Sequence, residues 1–222
     1  MKDYSKPYII LSAAMTIDGK IASINGDTEL SDEADWKEVH KLRSQVDAIM
    51  VGKATILKDN PKLHIKYYEH EGYYRIIADS NLLTPLDSNV VTFKPELYPT
   101  IICATEKASK DRIEQFQAKN VKIIQVGNHQ VNLKKLLFIL FNLGIKTILL
   151  EGGGNLNWSF IKEDLVDEMR LTIAPWIIGG KNAISLVEGL GFGKINQAPK
   201  YHLLDVKKRD NYVILRYKRN VN

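Results

Sequence analysis

Short apolar runs recur along the chain, separated by segments in which apolar residues return every three or four positions. Continuous apolar runs rich in β-branched residues are typical of strands that are buried on both faces. The runs that predict such strands are Tyr8 to Ala14, Ala48 to Val51, Leu63 to Tyr67, Tyr74 to Ala78, Thr100 to Ala104, Val121 to Val126, Thr147 to Leu150 and Glu168 to Ala174. Buried strands are therefore expected along most of the chain.

Helical periodicity predicts the elements between these strands. Ser31 is the expected N-cap of a helix that runs to about Gln45, because two acidic residues follow it in the first turn. A short helix after Gly52 should end before Asn60-Pro61, since a residue that precedes proline avoids helical geometry. The remaining predicted helices are Ser109 to Lys119, Leu133 to Leu143 with Asn132 as its cap, and a helix that starts after Gly154.

The alternation of strands and helices indicates an α/β fold. Repeated strand-helix-strand units imply a mostly parallel central sheet flanked by helices on both faces. The last two apolar runs, Tyr201 to Lys207 and Tyr212 to Tyr217, are joined by a turn at Asp210-Asn211 and predict a C-terminal antiparallel hairpin. No repeat, low-complexity segment or linker divides the chain, so residues 1–222 are expected to form a single domain.

Composition narrows the class of protein without identifying it. The 222 residues are 45% hydrophobic and 26% charged, which is typical of a globular chain. No run of about 18 apolar residues occurs and the amino terminus lacks the apolar stretch of a signal peptide, so we expect a cytoplasmic protein with no membrane partner. The net charge of +5 comes from scattered basic residues, which does not favour nucleic acid as a partner. The densest basic patch, Lys207 to Arg209, is expected to be a solvated loop.

Several kinds of site are excluded by what the chain lacks. Cys103 is the only cysteine and lies in an apolar run, so it is expected to be a small core residue. A single cysteine cannot form an intrachain disulfide or a thiolate zinc site, and no metal site is expected. The chain has no Gly-x-Gly-x-x-Gly after its first strand, no Walker loop, no His-Glu-x-x-His and no Gly-x-Ser-x-Gly. The ordinary Rossmann, nucleotide hydrolase, zinc protease and serine esterase classes are therefore disfavoured.

One acid and three glycines, Glu151 to Gly154, follow the strand from Thr147 to Leu150. Residues without a Cβ let backbone N–H groups approach a phosphate, and the next helix points its positive end at the same place. In an open α/β sheet, ligands bind in the crevice beyond the carboxyl ends of the strands. The pattern predicts a ligand site, with a simple tight turn as the alternative.

Other polar residues also follow predicted strands. Asp18 and Asp79 each come after an apolar run, and Thr55 and Asp59 share one face of a short helix because they are four residues apart. For each of them alone, capping or turn formation is the more common role. A set that converges at one edge of a sheet suits a ligand with sugar hydroxyls and an aromatic base.

Two basic residues are candidates to bind a phosphate. Arg43 lies near the end of the first predicted helix, with His40 one turn before it, and Lys66 lies farther along the chain. A guanidinium matches a phosphate with two parallel hydrogen bonds. Solvation at the surface is the alternative, because a cation near the end of a helix also suits the helix dipole.

The chain carries a series of motifs in a fixed order. They are Met15-Thr-Ile-Asp18-Gly19-Lys20-Ile-Ala22, His40-x-Leu42-Arg43 with Asp47-Ala-Ile-Met-Val51-Gly52, Thr55-x-x-x-Asp59-Asn60-Pro61-x-Leu63, Arg75-Ile-Ile-x-Asp79-Ser80, Leu149-Leu150-Glu151-Gly-Gly-Gly154, and Val166-Asp167-Glu168 through Pro175 to Gly179-Gly180. Over nearly the whole chain, this series resembles the riboflavin-biosynthesis reductases. That family comprises the reductase domain of bacterial bifunctional deaminase-reductases and stand-alone archaeal and fungal enzymes.

The resemblance implies a dihydrofolate-reductase-like fold, NADPH as the cofactor, and reduction of a ribosylamino-pyrimidine 5′-phosphate to its ribitylamino form. Carried over position by position, the cofactor-binding residues would be Thr55, Asp59, Asp79, Ser80, Asn81, Glu151, Gly152, Gly153 and Gly154. The substrate-binding residues would be Asp27, Ser31, Arg43, Leu63, Lys66 and Glu151. The catalytic residue is not identified, and the candidates for proton delivery are Asp18, Asp27 and Glu151.

Two departures from the bacterial pattern fit the stand-alone archaeal form better. Glu29 stands about where the bacterial domains have a tryptophan. Lys66 stands where the bacterial domains have their second basic residue after Leu63. The deaminase half of the bifunctional enzymes needs a Pro-Cys-x-x-Cys zinc site, which a chain with one cysteine cannot build. The expected substrate is therefore 2,5-diamino-6-ribosylamino-4(3H)-pyrimidinone 5′-phosphate, which is reduced before deamination in the archaeal and fungal pathway.

Alternatives stay open at the level of sequence. The reductase could act on the deaminated 5-amino-6-ribosylaminouracil 5′-phosphate, the chain could be another reductase of this fold, or it could be a nucleotide-binding regulator without catalysis. Asp79, taken alone, would favour NADH by binding a free 2′-hydroxyl, whereas the family uses NADPH. The family also implies a homodimer, with the C-terminal hairpin as the edge to be covered.

Overall fold

The computed structural model describes residues 5–220, which fall into two compact units. The first unit contains His40–Leu149 and the described residues up to Tyr8, and the second contains Ile9–Val39 and the described residues from Leu150 onward. In chain order the elements are β1 Tyr8–Thr16, β2 Lys20–Ala22, α1 Glu33–Arg43, β3 Ala48–Gly52, α2 Lys53–Asp59, β4 Tyr74–Ala78, α3 Asn89–Thr92, β5 Thr100–Ala104, α4 Lys110–Gln117, β6 Lys122–Gln125, α5 Leu133–Asn142, β7 Thr147–Gly152, α6 Gly154–Lys162, β8 Glu168–Ala174, β9 Ile184–Ser185, β10 Tyr201–Arg209 and β11 Tyr212–Arg219, with a 3-10 helix at Ile195–Gln197. None of the helices in the described chain is long and apolar enough to cross a membrane.

In the first unit, β3, β4, β5 and β6 are parallel and adjacent in that order. Parallel neighbours need crossover connections, which the segments containing α2, α3 and α4 supply. The core beneath these helices includes Ile56, Val90 and Phe116, one from each helix and none more than 1% exposed. Cys103 in β5 is fully buried, as its apolar run predicted. The carboxyl ends of the four strands lie at one edge.

In the second unit, β1 is parallel to β8, β11 is antiparallel to β8, and β10 pairs with β11. The hairpin turns at Asp210, whose φ is 49°, between the paired residues Arg209 and Tyr212. β2 and β9 form a separate antiparallel pair that the sequence did not predict. The predicted mostly parallel sheet with a C-terminal antiparallel hairpin is confirmed.

Two local predictions are wrong. The segment from Leu63 to Tyr67 is not a strand, and Leu63 has a φ of 43°, which extended geometry does not allow. Ser31 is not the cap of α1, because the carboxylate of Asp32 accepts the N–H of Asp35 at 2.7 Å. The helix accordingly starts at Glu33, one residue after its cap.

Candidate functional site

The cofactor candidates of the first unit follow β3 and β4. Thr55 is half-buried on α2, which starts directly after β3, and Asp59 is exposed one turn later. The helix ends at Asn60, which adopts a left-handed conformation with a φ of 40°. Ser80 and Asn81 come after β4 and are half-buried and exposed, respectively. Because β3 and β4 are parallel neighbours, these groups belong to the same edge of the sheet.

Asp79 lies inside its turn instead of facing solvent. Its side chain is 0% exposed, and Oδ2 accepts the N–H of Thr84 at 2.7 Å and the hydroxyl of Thr84 at 2.8 Å. Arg112 of α4 braces the same turn by donating to the carbonyl of Thr84 at 2.6 Å. Asp79 therefore shapes the turn that presents Ser80, and its carboxylate is not displayed to a ligand. No motif pointed to Thr84 or Arg112.

Basic side chains gather around residues 62–66 in the first unit. Nη1 of Arg43 donates to the carbonyl of His64 at 2.9 Å, and the rings of His40 and His64 meet edge to face with centroids 6.1 Å apart. Burial lowers the pKa of His40 to about 4, with the charges of Arg43, His64 and Lys66 adding to the effect. Burial and neighbouring cations, Arg43 first, also lower the pKa of His64. Both imidazoles are thus neutral at pH 7, while the arginine and lysines keep the region positive.

The hydrogen bond to His40 fixes its tautomer. Nδ1 accepts the backbone N–H of Lys66 at 2.8 Å, so Nε2 carries the proton of the neutral ring. His40 therefore acts as an acceptor toward the segment that carries Lys66. Nowhere in residues 5–220 do three or more His, Cys, Asp or Glu side chains gather in a way that would hold a metal ion.

The backbone of residues 62–66 is held by side chains from distant parts of the chain. The bonds are Arg75 to the carbonyl of Lys62 at 3.1 Å, the Tyr73 hydroxyl to the carbonyl of Leu63 at 2.8 Å, Arg43 to the carbonyl of His64 at 2.9 Å, the N–H of Ile65 to the Tyr98 hydroxyl at 3.3 Å, and the N–H of Lys66 to His40 at 2.8 Å. These bonds take the place of a strand's ladder. They hold Leu63 and Lys66, both substrate candidates, in one preformed segment.

Asp18 of the second unit fastens the loop of residues 175–180. Its carboxylate accepts the Thr16 hydroxyl at 2.6 Å and the N–H groups of Ile178 at 3.2 Å and Gly179 at 2.7 Å. These bonds, that of Thr16 foremost, lower the pKa of Asp18 to about 2. Asp18 therefore positions this loop, and its role in proton delivery stays a prediction.

Asp27 and Ser31 lie between β2 and α1. Asp27 is exposed, and its Oδ1 accepts the N–H of Glu29 at 2.9 Å, which forms a local Asx turn. Ser31 is half-buried and donates its hydroxyl to Oδ2 of Asp35 at 2.5 Å. Asp35 was not singled out by any sequence motif, yet it holds a candidate substrate residue.

Packing explains two of the three glycines in residues 151–154. Gly152 has a φ of 79°, and a Cβ there would lie 3.0 Å from the side chain of Asn157. A Cβ on Gly154 would lie 2.6 Å from the carbonyl oxygen of Ser185. The tight turn and the close approach of β9 therefore require these glycines, whether or not a ligand binds beside them.

The expectation that residues 207–209 form a solvated loop is wrong for Arg209. Its side chain is 15% exposed, and Nη2 lies 3.0 Å from Oδ1 of Asp32, the cap of α1. Lys207 and Lys208 are exposed, as expected. The hairpin turn thus contacts the segment that carries Ser31.

Comparison with known proteins gives matches over almost the whole chain. The profile of the RibD C-terminal domain family matches residues 7–215. A 2,5-diamino-6-ribosylamino-4(3H)-pyrimidinone 5′-phosphate reductase of Aquifex aeolicus is 38% identical over 213 residues, which cover 94% of this chain and 92% of the relative. A reductase of the same name from Methanothermobacter thermautotrophicus is 39% identical over 201 residues, covering 89% and 91%.

The solved structure of Acinetobacter baumannii RibD matches with a TM-score of 0.82 and 24% identity. The match covers 97% of this chain and spans 58% of the length of that protein. At this identity the likeness shows the fold, and it confirms the predicted dihydrofolate-reductase-like architecture.

Proposed function

This chain belongs to the RibD C-terminal domain family, and we propose that it is an NADPH-dependent oxidoreductase of riboflavin biosynthesis. Its reaction is the reduction of the ribose side chain of 2,5-diamino-6-ribosylamino-4(3H)-pyrimidinone 5′-phosphate to the ribitylamino product. The observation that carries the proposal is the identity of 38% and 39% to two reductases of that name, covered over 92% and 91% of their own lengths. The family profile runs through both units, so the proposal treats residues 1–222 as one reductase domain.

The basic cluster supports binding of the 5′-phosphate. Arg43 brings a guanidinium and Lys66 an ammonium. The rings of His40 and His64 are neutral and add no negative charge that would oppose an anion. The hydrogen bonds to residues 62–66 hold this segment in place before a ligand arrives, which lowers the entropy cost of binding.

The residues after β3 and β4 fit NADPH. Thr55, Ser80 and Asn81 offer neutral polar groups at one edge of the sheet. Because Asp79 is buried and bonded to Thr84, its carboxylate does not bind a free 2′-hydroxyl, which removes the feature that favoured NADH. A bound nicotinamide supplies the hydride. In the proposal this cofactor is bound and oriented by Thr55, Asp59, Ser80 and Asn81 of the first unit. The assignment of residues 151–154 to the cofactor stays a prediction.

Hydride addition also requires a proton. The opened ribose presents an imine at C1′, where the hydride adds to carbon and a proton goes to nitrogen. The carboxylate of Asp18 is already bonded to Thr16, Ile178 and Gly179, which favours half-buried Glu151 and exposed Asp27 as donors. Glu151→Gln and Asp27→Asn separate them: the variant whose kcat falls at unchanged KM identifies the proton donor.

The proposal is tested by following NADPH oxidation with the two candidate pyrimidine phosphates in parallel. We expect a higher kcat/KM with the 2,5-diamino compound than with 5-amino-6-ribosylaminouracil 5′-phosphate, and a higher kcat/KM with NADPH than with NADH. Faster turnover of the uracil compound would place reduction after deamination. Lack of turnover with both would favour another reductase of this fold or a binding protein without catalysis.

The phosphate assignment has its own control. Arg43→Ala should raise KM for the phosphorylated substrate about tenfold or more, since a charge-assisted hydrogen bond contributes about 1.5–3 kcal/mol. The same substrate without its 5′-phosphate should be turned over equally by the variant and the wild type. A similar loss with both compounds would show that Arg43 acts only by holding His64.

The proposed enzyme is a homodimer. It is located in the cytoplasm, where its phosphorylated substrate and NADPH occur. β10 is the last strand in the sheet order and exposes Leu203, Leu204 and Val206 by 50%, 44% and 54%. An exposed apolar edge strand is a template for pairing, and a second copy of the chain offers the same edge. Sedimentation should give a dimer for the wild type and a monomer for Leu204→Lys. A monomeric wild type would contradict this assignment.

A further inference from the structure

Asp35 holds its carboxylate in a buried network beside Ser31. The residue is 3% exposed, and each of its oxygens accepts a hydroxyl. Oδ2 accepts from Ser31 at 2.5 Å, and Oδ1 accepts from Thr172 of β8 at 2.7 Å. Nη2 of Arg209 lies 3.6 Å from Oδ1.

The turn of the C-terminal hairpin supports this network from the other side. Arg209 pairs with Asp32 at 3.0 Å, and the Tyr212 hydroxyl donates to the carbonyl of Leu30 at 3.3 Å. These contacts hold the chain directly before and after Ser31. Residues more than a hundred positions away in the sequence therefore set the geometry of Ser31, Thr172 through Asp35 and the hairpin turn through the flanking residues.

We propose that Asp35 is a positioning residue that fixes the Ser31 hydroxyl as a hydrogen-bond acceptor for the substrate. Asp35 accepts a hydroxyl at each of its oxygens, and a hydroxyl has a single proton. That proton is committed to Asp35, so Oγ of Ser31 offers lone pairs only. Its partner on the ligand is then a donor, such as a sugar hydroxyl or a ring amino group, and not a phosphate oxygen.

The proposal rests on the proposed function for the identity of the ligand and for the assignment of Ser31 to the substrate. Its content is the polarity of that contact and the dependence on Asp35. A purely structural Asp35 would anchor α1 and affect stability alone, because its bond to Thr172 serves that purpose as well. The positioning role and the structural role are distinguished by substituting Asp35 in two backgrounds, one with the Ser31 hydroxyl and one without it.

A double-mutant cycle tests the coupling. Ser31→Ala, Asp35→Asn and the double variant are compared by kcat, by KM, and by calorimetric binding of the 2,5-diamino substrate without cofactor. Asp35→Asn should raise KM and the dissociation constant about tenfold, the value of one hydrogen bond of about 1.4 kcal/mol, at nearly unchanged kcat. In the Ser31→Ala background the same change should have less than a twofold effect.

Thr172→Val is the matched control, because it removes a bond to the same carboxylate and leaves the bond to Ser31 in place. It should lower the melting temperature and leave KM unchanged. Should Asp35→Asn not fold, Arg209→Gln weakens the hold on the carboxylate and is analysed by the same cycle, with a smaller rise in KM.

If Asp35→Asn changes KM and the dissociation constant equally in the wild-type and Ser31→Ala backgrounds of an active enzyme, the positioning role alone would be overturned. If the wild type binds the substrate without reducing it, and the variants show coupled losses of binding, the proposed function alone would be overturned. A wild type that neither binds nor reduces the substrate would overturn both.

Discussion

Replacement of Arg75 by methionine should strongly destabilise the first unit. The guanidinium is fully buried and donates to the carbonyls of Lys62 at 3.1 Å, Asn89 at 3.3 Å and Tyr98. Burial lowers the pKa of Arg75 to about 10, so the side chain still carries its charge at neutral pH. Methionine fills similar space but donates to none of the three carbonyls.

The size of the loss follows from the surroundings of each carbonyl. The Tyr98 carbonyl bond is buried, and leaving such an acceptor unpaired costs about 1–3 kcal/mol. The other two bonds are only partly buried, where water can take over, so each contributes about 1 kcal/mol. Removal of a buried charge returns part of this sum. The expected net decrease in the free energy of unfolding is about 3 kcal/mol.

Urea unfolding followed by circular dichroism measures this decrease, and Arg112→Met is the matched control. Arg112 also donates to two backbone carbonyls, those of Leu82 and Thr84, but in a partly exposed position. Its loss should cost about 2 kcal/mol, about 1 for each of the two solvent-accessible bonds, which is less than for Arg75→Met. Equal decreases for the two arginine variants, or a decrease below about 1 kcal/mol for Arg75→Met, would refute the reasoning.

Three further predictions concern single residues. The pKa of His40 is lowered from its ordinary value near 6.5 to about 4, so its contribution to stability is complete above pH 6.5 and is lost as the pH falls toward 4; urea midpoints of His40→Asn should lack this part of the pH dependence. Gly154→Ala should lower stability by about 1–3 kcal/mol in urea unfolding, because its Cβ would meet the Ser185 carbonyl at 2.6 Å. Asp18→Ala should speed amide hydrogen exchange at Gly179, measured by mass spectrometry, because it removes that N–H group's acceptor.

Each of these has a contrary result. An identical pH slope in His40→Asn would assign the acid sensitivity to other groups. Unchanged stability of Gly154→Ala would mean that Ser185 shifts freely, and unchanged exchange at Gly179 would mean that Asp18 does not hold that loop.

The elements that local pattern determines were predicted well. The strands of the first unit are continuous apolar runs, and the hairpin follows from the polar turn at Asp210, so each carries its own signal in sequence. The capping of α1 shows where local pattern becomes ambiguous. Ser31 and Asp32 are equally good caps by residue type, and the choice falls on Asp32 because the Ser31 hydroxyl is bonded to Asp35.

Features that depend on distant residues could not be predicted. Residues 62–66 have an apolar content that suits a strand, but their backbone is bonded to side chains such as Arg75 and Tyr98. The burial of Asp79 depends on Thr84, and that of Arg209 on Asp32, neither of which a periodicity reveals. Site residues that rest on such pairs become visible only when the chain is folded.

The burial of Cys103 makes this chain convenient for site-specific labelling. The thiol is the only one in the sequence, it is fully buried in β5, and burial raises its pKa well above the ordinary value, so it is unreactive in the folded protein. A cysteine introduced on an exposed loop can then carry a fluorophore or spin label with the native residue left in place. Modification of Cys103 itself by a thiol reagent would report opening of the β4–β5–β6 region, and its rate would measure how often that core is exposed.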